Sequence, residues 1–540
     1  MAAARTVHLP VIGATMRPPR SAGLLERLLH DQQELTAVER FAQRHADARA
    51  PLLEARYRER LPATPPGPGQ QYAFEVDLDA CSGCKACVAA CHSQNGLDAG
   101  EIWRSVGILH GGDAAAPVLK TVTSACHHCV DPACMKGCPV DAYEKHPITG
   151  IVSHLDDQCI GCQYCTLTCP YEVPQYNPAR GIVRKCDMCS GRLAAGEAPA
   201  CVQACPSGAI TIAVVEVARA VEDAQVDGFL PAAPSPAITV PTTIYRTREA
   251  LPRNLIPADF HAVRPAHRHL PLVVMLVLTQ LAVGTLVVER ALVALAPALA
   301  APLAPLTALL ALGTAAVALA ASTLHLGRPR YAFRALRGLR TSWVSREIVA
   351  FGGFAAVAGL HAAFGGRSAA LGAAAAILGA LGVGCSVMLY AVTHRAWWSF
   401  GRTLARFAGT AIVLGLAALV VAACARGAGA SVDGLVRALA VALAIKLVAE
   451  HAVLANLGDR RHGELKRSAL LLVTHLRRQL VVRLALAVLG VALAGFAVTA
   501  AAAPAPWAAA ALVTLVAGEL VERVLYFAAA SAPRMPGTFA

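Results

Sequence analysis

Sixteen of the eighteen cysteines fall between Cys81 and Cys205, in four groups of four. The groups read Cys81-x2-Cys84-x2-Cys87-x3-Cys91, Cys126-x2-Cys129-x4-Cys134-x3-Cys138-Pro139, Cys159-x2-Cys162-x2-Cys165-x3-Cys169-Pro170 and Cys186-x2-Cys189-x11-Cys201-x3-Cys205-Pro206. Cysteines two residues apart lie on one tight loop, so their sulfurs can converge on a common centre. The intervening Ser82-Gly83 and Ile160-Gly161 let backbone amides approach those sulfurs. A proline directly after the fourth cysteine fixes the exit of the chain.

Structural zinc is normally held by two separated Cys-x2-Cys pairs. Three cysteines in seven residues, seen twice, fit that poorly. Disulfides need an oxidising compartment, and Met1 to Arg20 lacks the apolar core of a signal peptide. The spacing instead resembles that by which bacterial ferredoxins hold 4Fe–4S cubanes, where the fourth cysteine of a run serves the other cluster of a pair. Groups therefore work in twos, and four groups make two ferredoxin-like modules with four 4Fe–4S clusters. Cys385 and Cys424 lie in apolar helical stretches and read as ordinary buried thiols.

The chain has 540 residues and a formal net charge of +13. With 56% hydrophobic residues and a mean hydropathy of +0.51, it is too apolar for a soluble protein. The positive charge does not indicate nucleic acid, because the arginines lie between apolar spans rather than around aromatics. The expected fold class is an α+β double-ferredoxin-like iron–sulfur domain followed by an all-α polytopic membrane bundle of about eight helices.

Residues 1–71 read as an N-terminal helical extension ending in the Pro-rich linker Pro62–Pro68. Leu24, Leu25, Leu28 and Leu29 recur at helical spacing, and Thr36-x-x-Glu39 reads as a capping box. The iron–sulfur domain covers 72–215, with strands expected at Tyr72–Leu78, Ile151–Leu155, Ile182–Lys185 and Ile210–Val215. Residues 216–268 read as linker, 269–530 as the membrane anchor and 531–540 as a tail. Eight apolar segments are near the roughly 20 residues a helix needs to cross a bilayer. They are Leu270–Val288, Leu303–Leu324, Ile348–Phe364, Ala369–Val392, Phe407–Ala425, Leu435–Leu457, Leu480–Ala501 and Trp507–Ala529.

Arginine and lysine concentrate in alternate loops. Arg328, Arg330, Arg334, Arg337, Arg340 and Arg346 follow span two, Arg395, Arg402 and Arg406 follow span four, and Arg460, Arg461, Lys466, Arg467, Arg477 and Arg478 follow span six. The opposite loops carry only Arg290, Arg367, Arg426 and Arg437. The positive-inside rule then puts the iron–sulfur domain and both termini in the cytoplasm, on a bacterial cytoplasmic membrane.

His325 ends span two and Glu347 begins span three, with the basic segment Gly327 to Arg346 between them. Ionisable groups at a membrane boundary beside a redox domain point to a quinol site, where a histidine accepts one proton and a carboxylate relays another. A capping histidine and a helix N-terminal glutamate are the structural alternative. Lys446 and Glu450 are four apart in span six, beside His451, and read more readily as an ion pair than as a proton path. Glu519 and Glu522 in span eight give a weaker sign of the same kind. Gln280 in span one reaches either a quinone or another helix.

The cysteine array resembles the four-cluster electron-transfer subunit of dimethyl-sulfoxide-reductase-type molybdoenzymes, and the membrane half resembles their anchor subunit. The matching anchor stretches are Ala321-Ser-Thr-Leu-His325-Leu-Gly-Arg-Pro329, Ser342-Trp-Val-Ser-Arg-Glu347-Ile, Met388-Leu-Tyr-Ala-Val-Thr-His-Arg395 and Gly518-Glu-Leu-Val-Glu-Arg523. The resemblance implies that Cys81, Cys84 and Cys87 share a cluster with Cys205, and that Cys186, Cys189 and Cys201 take Cys91. It likewise joins Cys126, Cys129 and Cys134 to Cys169, and Cys159, Cys162 and Cys165 to Cys138. It assigns menaquinol or ubiquinol to His325 and Glu347, and a separate molybdopterin-containing subunit as partner. The expected function is quinol oxidation feeding such a reductase, with cytoplasmic nitrate reduction as the sink. Reverse flow from a formate- or hydrogen-oxidising partner into the quinone pool is the alternative. The cytoplasmic orientation departs from the exported members of that family.

Overall fold

The computed structural model describes residues 23–26, 39, 59–427, 429–460, 462–500, 504–531 and 535–536. Met1–Glu59 and Arg60–Ala540 are separate compact units. Of the first, Leu24–Glu26 and Glu39 are helical, and the rest of the two expected N-terminal helices lies outside the described residues.

The cysteine-rich half is tied together by its outermost strands. β1 (Gln70–Asp77) pairs antiparallel with β8 (Ile210–Glu216), in a register that sets Phe74 opposite Ile212. The expected strands before the third and fourth groups appear as β5 (Val152–His154) and β7 (Ile182–Arg184), each in a two-stranded ribbon with β4 (Tyr143–Lys145) or β6 (Gln175–Asn177). A longer hairpin, β2 (Ser105–Asp113) with β3 (Ala116–Ser124), was not expected from the sequence.

The segment 216–268 differs from the expected linker. It contributes a helix, Val217–Gln225, and two strands. β9 (Ile244–Arg246) runs parallel to β1, and β10 (Ile256–Pro257) adds to β2. Its Pro- and Ala-rich composition thus belongs to a surface wrap whose short strands complete two sheets. Met535, near the C-terminus, is buried among Val76, Leu109 and Leu255 of the same half.

Eight long helices follow: α1 (Leu270–Leu295), α2 (Ala304–Thr323), α3 (Trp343–Ala363), α4 (Ala369–Ala391), α5 (Phe400–Ala425), α6 (Gly429–His451), α7 (Arg477–Thr499) and α8 (Pro504–Ala528). Among the described residues seven helices are long and apolar enough to cross a membrane, α8 being the eighth long one. α1 and α5 are 67% and 72% buried over their most apolar windows, which makes them the centre of the bundle. They approach closely through small residues: a Cβ on Gly284 would lie 1.8 Å from the Ala411 carbonyl oxygen, and Gly415 faces Gly284 in the same contact. Several helices start earlier than hydropathy indicates. α3 begins at Trp343 and α5 at Phe400, so Glu347 and Arg406 lie within helices. Charged residues end a hydropathy window but do not interrupt backbone hydrogen bonding.

Candidate functional site

The folded chain sorts the sixteen thiols into four sets. Cys81, Cys84, Cys87 and Cys205 line one pocket, and Cys126, Cys129, Cys134 and Cys169 line another. Cys91 faces Cys189 and Cys201, and also Cys186. Cys138, Cys159, Cys162 and Cys165 form the fourth set. Each set takes three cysteines from one group and one from the paired group. Four thiols converge in each set, more than the two a disulfide joins.

The sets form a row. Cys162 and its neighbours touch the anchor. Tyr143 lies beside Cys165 and Cys134, joining that set to the one at Cys126. Cys126 lies beside Cys186, and Arg104 lies beside Cys201, Cys186 and Cys87, which completes the row to Cys81. Two buried cations stand between the sets, and neither was singled out from the sequence. Lys185 Nζ is 3.6 Å from Cys126 Sγ and donates to the Cys186 carbonyl at 2.8 Å. Burial opposes its charge, but the thiols of Cys126, Cys134 and Cys186 hold its pKa above the ordinary lysine value. Arg104 is 2% exposed, with Nε and Nη2 unpartnered. Neither cation pairs with a carboxylate among the described residues. Buried cations facing thiols require negative charge there, and sets of four thiolates are the donor chemistry of a 4Fe–4S cluster. The residues present fit that group.

At the junction, the loop of the third cysteine group lies against the connection between α2 and α3. The Gly327 N–H donates to the Gly161 carbonyl at 3.3 Å, and the Arg328 N–H to the Ile160 carbonyl at 3.0 Å. His325 Nε2 lies 2.9 Å from the Cys162 carbonyl oxygen. Burial lowers the pKa of His325 below the ordinary histidine value, against the pull of the Cys162 and Ser322 carbonyls. Tyr164, two residues after Cys162, enters the bundle core and donates to the Leu389 carbonyl at 2.7 Å. Glu347 is buried near Tyr164, and its Oε1 accepts from Ser386. His325 and Glu347 thus flank the same cysteine loop.

His269 was also missed from the sequence. It is buried, its ring lies 4.5 Å from that of His267 and 5.6 Å from that of Phe527, and its pKa is pushed down to about 4 by burial and by His267, His325 and Arg395. Histidines recurring at His261, His267 and His269 just before span one were the available signal.

The other membrane charges form a buried network. Lys446 pairs with Glu450, and with Glu519 at 2.9 Å. Arg483 reaches Glu450 at 3.1 Å and Glu519 at 2.8 Å, and Arg406 reaches Glu522 at 2.9 Å. Gln280 accepts from Arg523 Nη2 at 2.9 Å, so it bonds another helix. His451 Nδ1 bonds the Leu447 carbonyl, one turn back. These contacts extend the expected ion pair into a structural lattice across α1 and α5–α8.

Residues 118–215 match the 4Fe-4S dicluster domain family, and residues 265–529 match the DMSO reductase anchor subunit (DmsC) family. The chain is 38% identical over 157 residues to the probable anaerobic dimethyl sulfoxide reductase chain YnfG of Escherichia coli K12, covering 28% of this chain and 76% of that protein. It is 36% identical over 159 residues to a chain of the anaerobic dimethyl sulfoxide reductase of Haemophilus influenzae, covering 28% and 77%. It is 34% identical over 158 residues to the formate dehydrogenase-O iron-sulfur subunit of Escherichia coli K12, covering 26% and 52%. The thiol sets, the helical bundle beside them and these matches lead to one conclusion: the chain belongs to the dimethyl sulfoxide reductase family of 4Fe–4S electron-transfer subunits, with the iron–sulfur part and its membrane anchor fused in a single polypeptide.

Proposed function

We propose that this chain oxidises menaquinol or ubiquinol at the membrane boundary and delivers the electrons to a separate molybdopterin-containing reductase. The four thiol sets are the ligands of four 4Fe–4S clusters, and His325 and Glu347 form the quinol site. The observation that carries the reading is the 2.9 Å contact between His325 Nε2 and the carbonyl of Cys162. It joins a membrane-boundary base directly to a cysteine loop. When bound, the clusters supply one-electron transfer.

The residues of the chain manage the protons. His325, its ring held by the Cys162 and Ser322 carbonyls, takes one quinol proton. Glu347, held by Ser386, takes the other. Lys185 and Arg104 offset the negative charge of the thiolates. The arginine-rich loops lie on the iron–sulfur side, where Arg328 donates to the Asp156 carbonyl and Arg395 reaches the Thr166 carbonyl. This supports a cytoplasmic iron–sulfur domain and, with it, a cytoplasmic acceptor such as nitrate.

The test is His325→Ala in the full complex. Quinol oxidation is lost while iron and acid-labile sulfide stay at the wild-type level; unchanged turnover removes His325 from the mechanism. The likeness to formate dehydrogenase iron-sulfur subunits favours a second reading, with a formate-oxidising partner feeding quinone. The identity of the co-purifying subunit and a redox titration of the clusters separate the two.

A further inference from the structure

The connection between α2 and α3 contains a segment, Pro329–Arg340, that winds in 3-10 turns with a kink at Gly338. A 3-10 helix has about three residues per turn, so residues three apart stack on one face. The sequence follows that period. Ala332, Ala335 and Gly338 form a small-residue face, Phe333, Leu336 and Leu339 an apolar face, and Arg334, Arg337 and Arg340, preceded by Tyr331, a cationic face.

Only the small face is occupied. Ala335 is buried among Cys138, Cys159 and Ile160. The Gly338 N–H donates to the Pro139 carbonyl at 3.0 Å, and a Cβ on Gly338 would lie 2.8 Å from Pro139 Cα. The apolar face is uncovered: Phe333 is 68% exposed, Leu336 51% and Leu339 40%. Arg328 and Arg334 are spent on the carbonyls of Asp156 and Asp157. Arg330, Arg337 and Arg340 are exposed and form no ion pair among the described residues. No Asp or Glu occurs from Leu324 to Arg346.

We propose that this segment is a binding site for anionic phospholipid in the leaflet facing the iron–sulfur domain. Its apolar face enters the acyl boundary and its free arginines meet the headgroup phosphates. Two observations favour lipid as the occupant. The segment is continuous with α2 and α3, whose length and composition suit membrane crossing, so it is held at headgroup depth. Its uncovered surface also sets Phe333, Leu336 and Leu339 beside Arg337 and Arg340, with Arg330 at the head of the apolar row, an amphipathic arrangement that suits an anionic membrane surface. Because the small face closes over Cys138 and Pro139, lipid bound on the outside keeps the iron–sulfur domain seated on the anchor.

The experiment is hydrogen exchange on the full-length protein in membrane discs of phosphatidylcholine alone or with phosphatidylglycerol. In wild type, amides 330–341 exchange at least about tenfold more slowly when phosphatidylglycerol is present. The triple variant Arg330→Gln, Arg337→Gln, Arg340→Gln exchanges at one rate in both lipids, and the corresponding triple lysine variant restores the difference. Iron content and exchange in the β2–β3 hairpin, unchanged throughout, report an intact fold. Equal wild-type exchange in the two lipids overturns the proposal. So does protection that arises only with a bound catalytic subunit whatever the lipid, which would make the segment a protein-docking surface.

Discussion

Gly161, Gly181 and Gly327 meet where the cysteine-rich half rests on the anchor, and this contact permits a demanding test. A Cβ on Gly327 would lie 2.1 Å from the Gly181 carbonyl oxygen and 2.6 Å from its carbonyl carbon. Both obstacles are backbone, so no side-chain rotation relieves them. Gly327→Ala must separate the two halves locally by more than about 1 Å to regain normal van der Waals distances. That movement breaks the Gly327-to-Gly161 and Arg328-to-Ile160 hydrogen bonds. At about 1 kcal/mol each, their loss weakens docking by about 2 kcal/mol, or about thirtyfold in the local opening equilibrium. Hydrogen exchange at the Arg328 amide reads this directly, and quinol-driven reduction should fall with it because His325 rides on the same loop. Gly313→Ala is the control: it lies in α2 with nothing within 4 Å of its Cβ, and should change neither measurement. Unaltered Arg328 protection in Gly327→Ala would refute the docking geometry and the functional importance assigned to it.

Other outcomes follow from the same structure. Glu519→Gln leaves Lys446 and Arg483 short of a buried carboxylate and costs about 3 kcal/mol. Adding Lys446→Met should recover at least about 1 kcal/mol of that loss relative to additivity in detergent thermal unfolding. Removing iron should lower the melting of the iron–sulfur half, whose inner core includes Cys134, Cys138, Cys159 and Cys165, while helical circular dichroism of the bundle persists. Burial raises the pKa of Glu464, against the Ala396 N–H and Arg395 and Arg467. Its stabilising contribution is therefore complete at acid pH and lost as pH rises through the folded pKa, so Glu464→Gln should flatten the melting temperature between pH 4 and 7 (about the carboxylate range). With His325 on the iron–sulfur side, quinol protons and electrons leave on one face, and proteoliposomes turning over quinol should show no membrane potential with a voltage-sensitive dye.

The iron–sulfur half was legible because cysteine spacing is a local constraint, and the two-residue steps at Cys81, Cys84 and Cys87 give a tight loop whatever surrounds it. The membrane spans were legible because a bilayer imposes length and hydropathy on contiguous residues. What escaped depends on contacts distant in sequence. β9 lies about as far from β1 as a whole domain, and its three residues gain their meaning only from pairing with Glu75, Val76 and Asp77. Lys185 and Arg104 look like ordinary surface cations until the chain closes around them. The hairpin β2–β3 depends on Gly111 and Gly112, which adopt positive φ near its turn end. Lys446 and Glu450 were visible as a pair because they are four apart on one helix, whereas Arg483 and Glu519 come from other helices.

The two ends of the thiol row differ in a way that bears on direction. At one end, Cys138, Cys159 and Cys165 are buried and Cys162 is half-buried, and Ala335, Gly327 and Gly338 of the anchor close over their loops. At the other end, Cys84 is exposed and Cys81 is half-buried. Among the described residues, a row sealed against the membrane at one end and open at the other leaves one free terminus for exchange with another protein. The proposed reductase therefore belongs at the Cys81–Cys205 end. Surface charge changes there should slow transfer to the partner without altering quinol-driven filling of the clusters. Changes at His325 or Gly327 should do the reverse, and a variant at either end that affects both steps equally would break the assignment of separate termini.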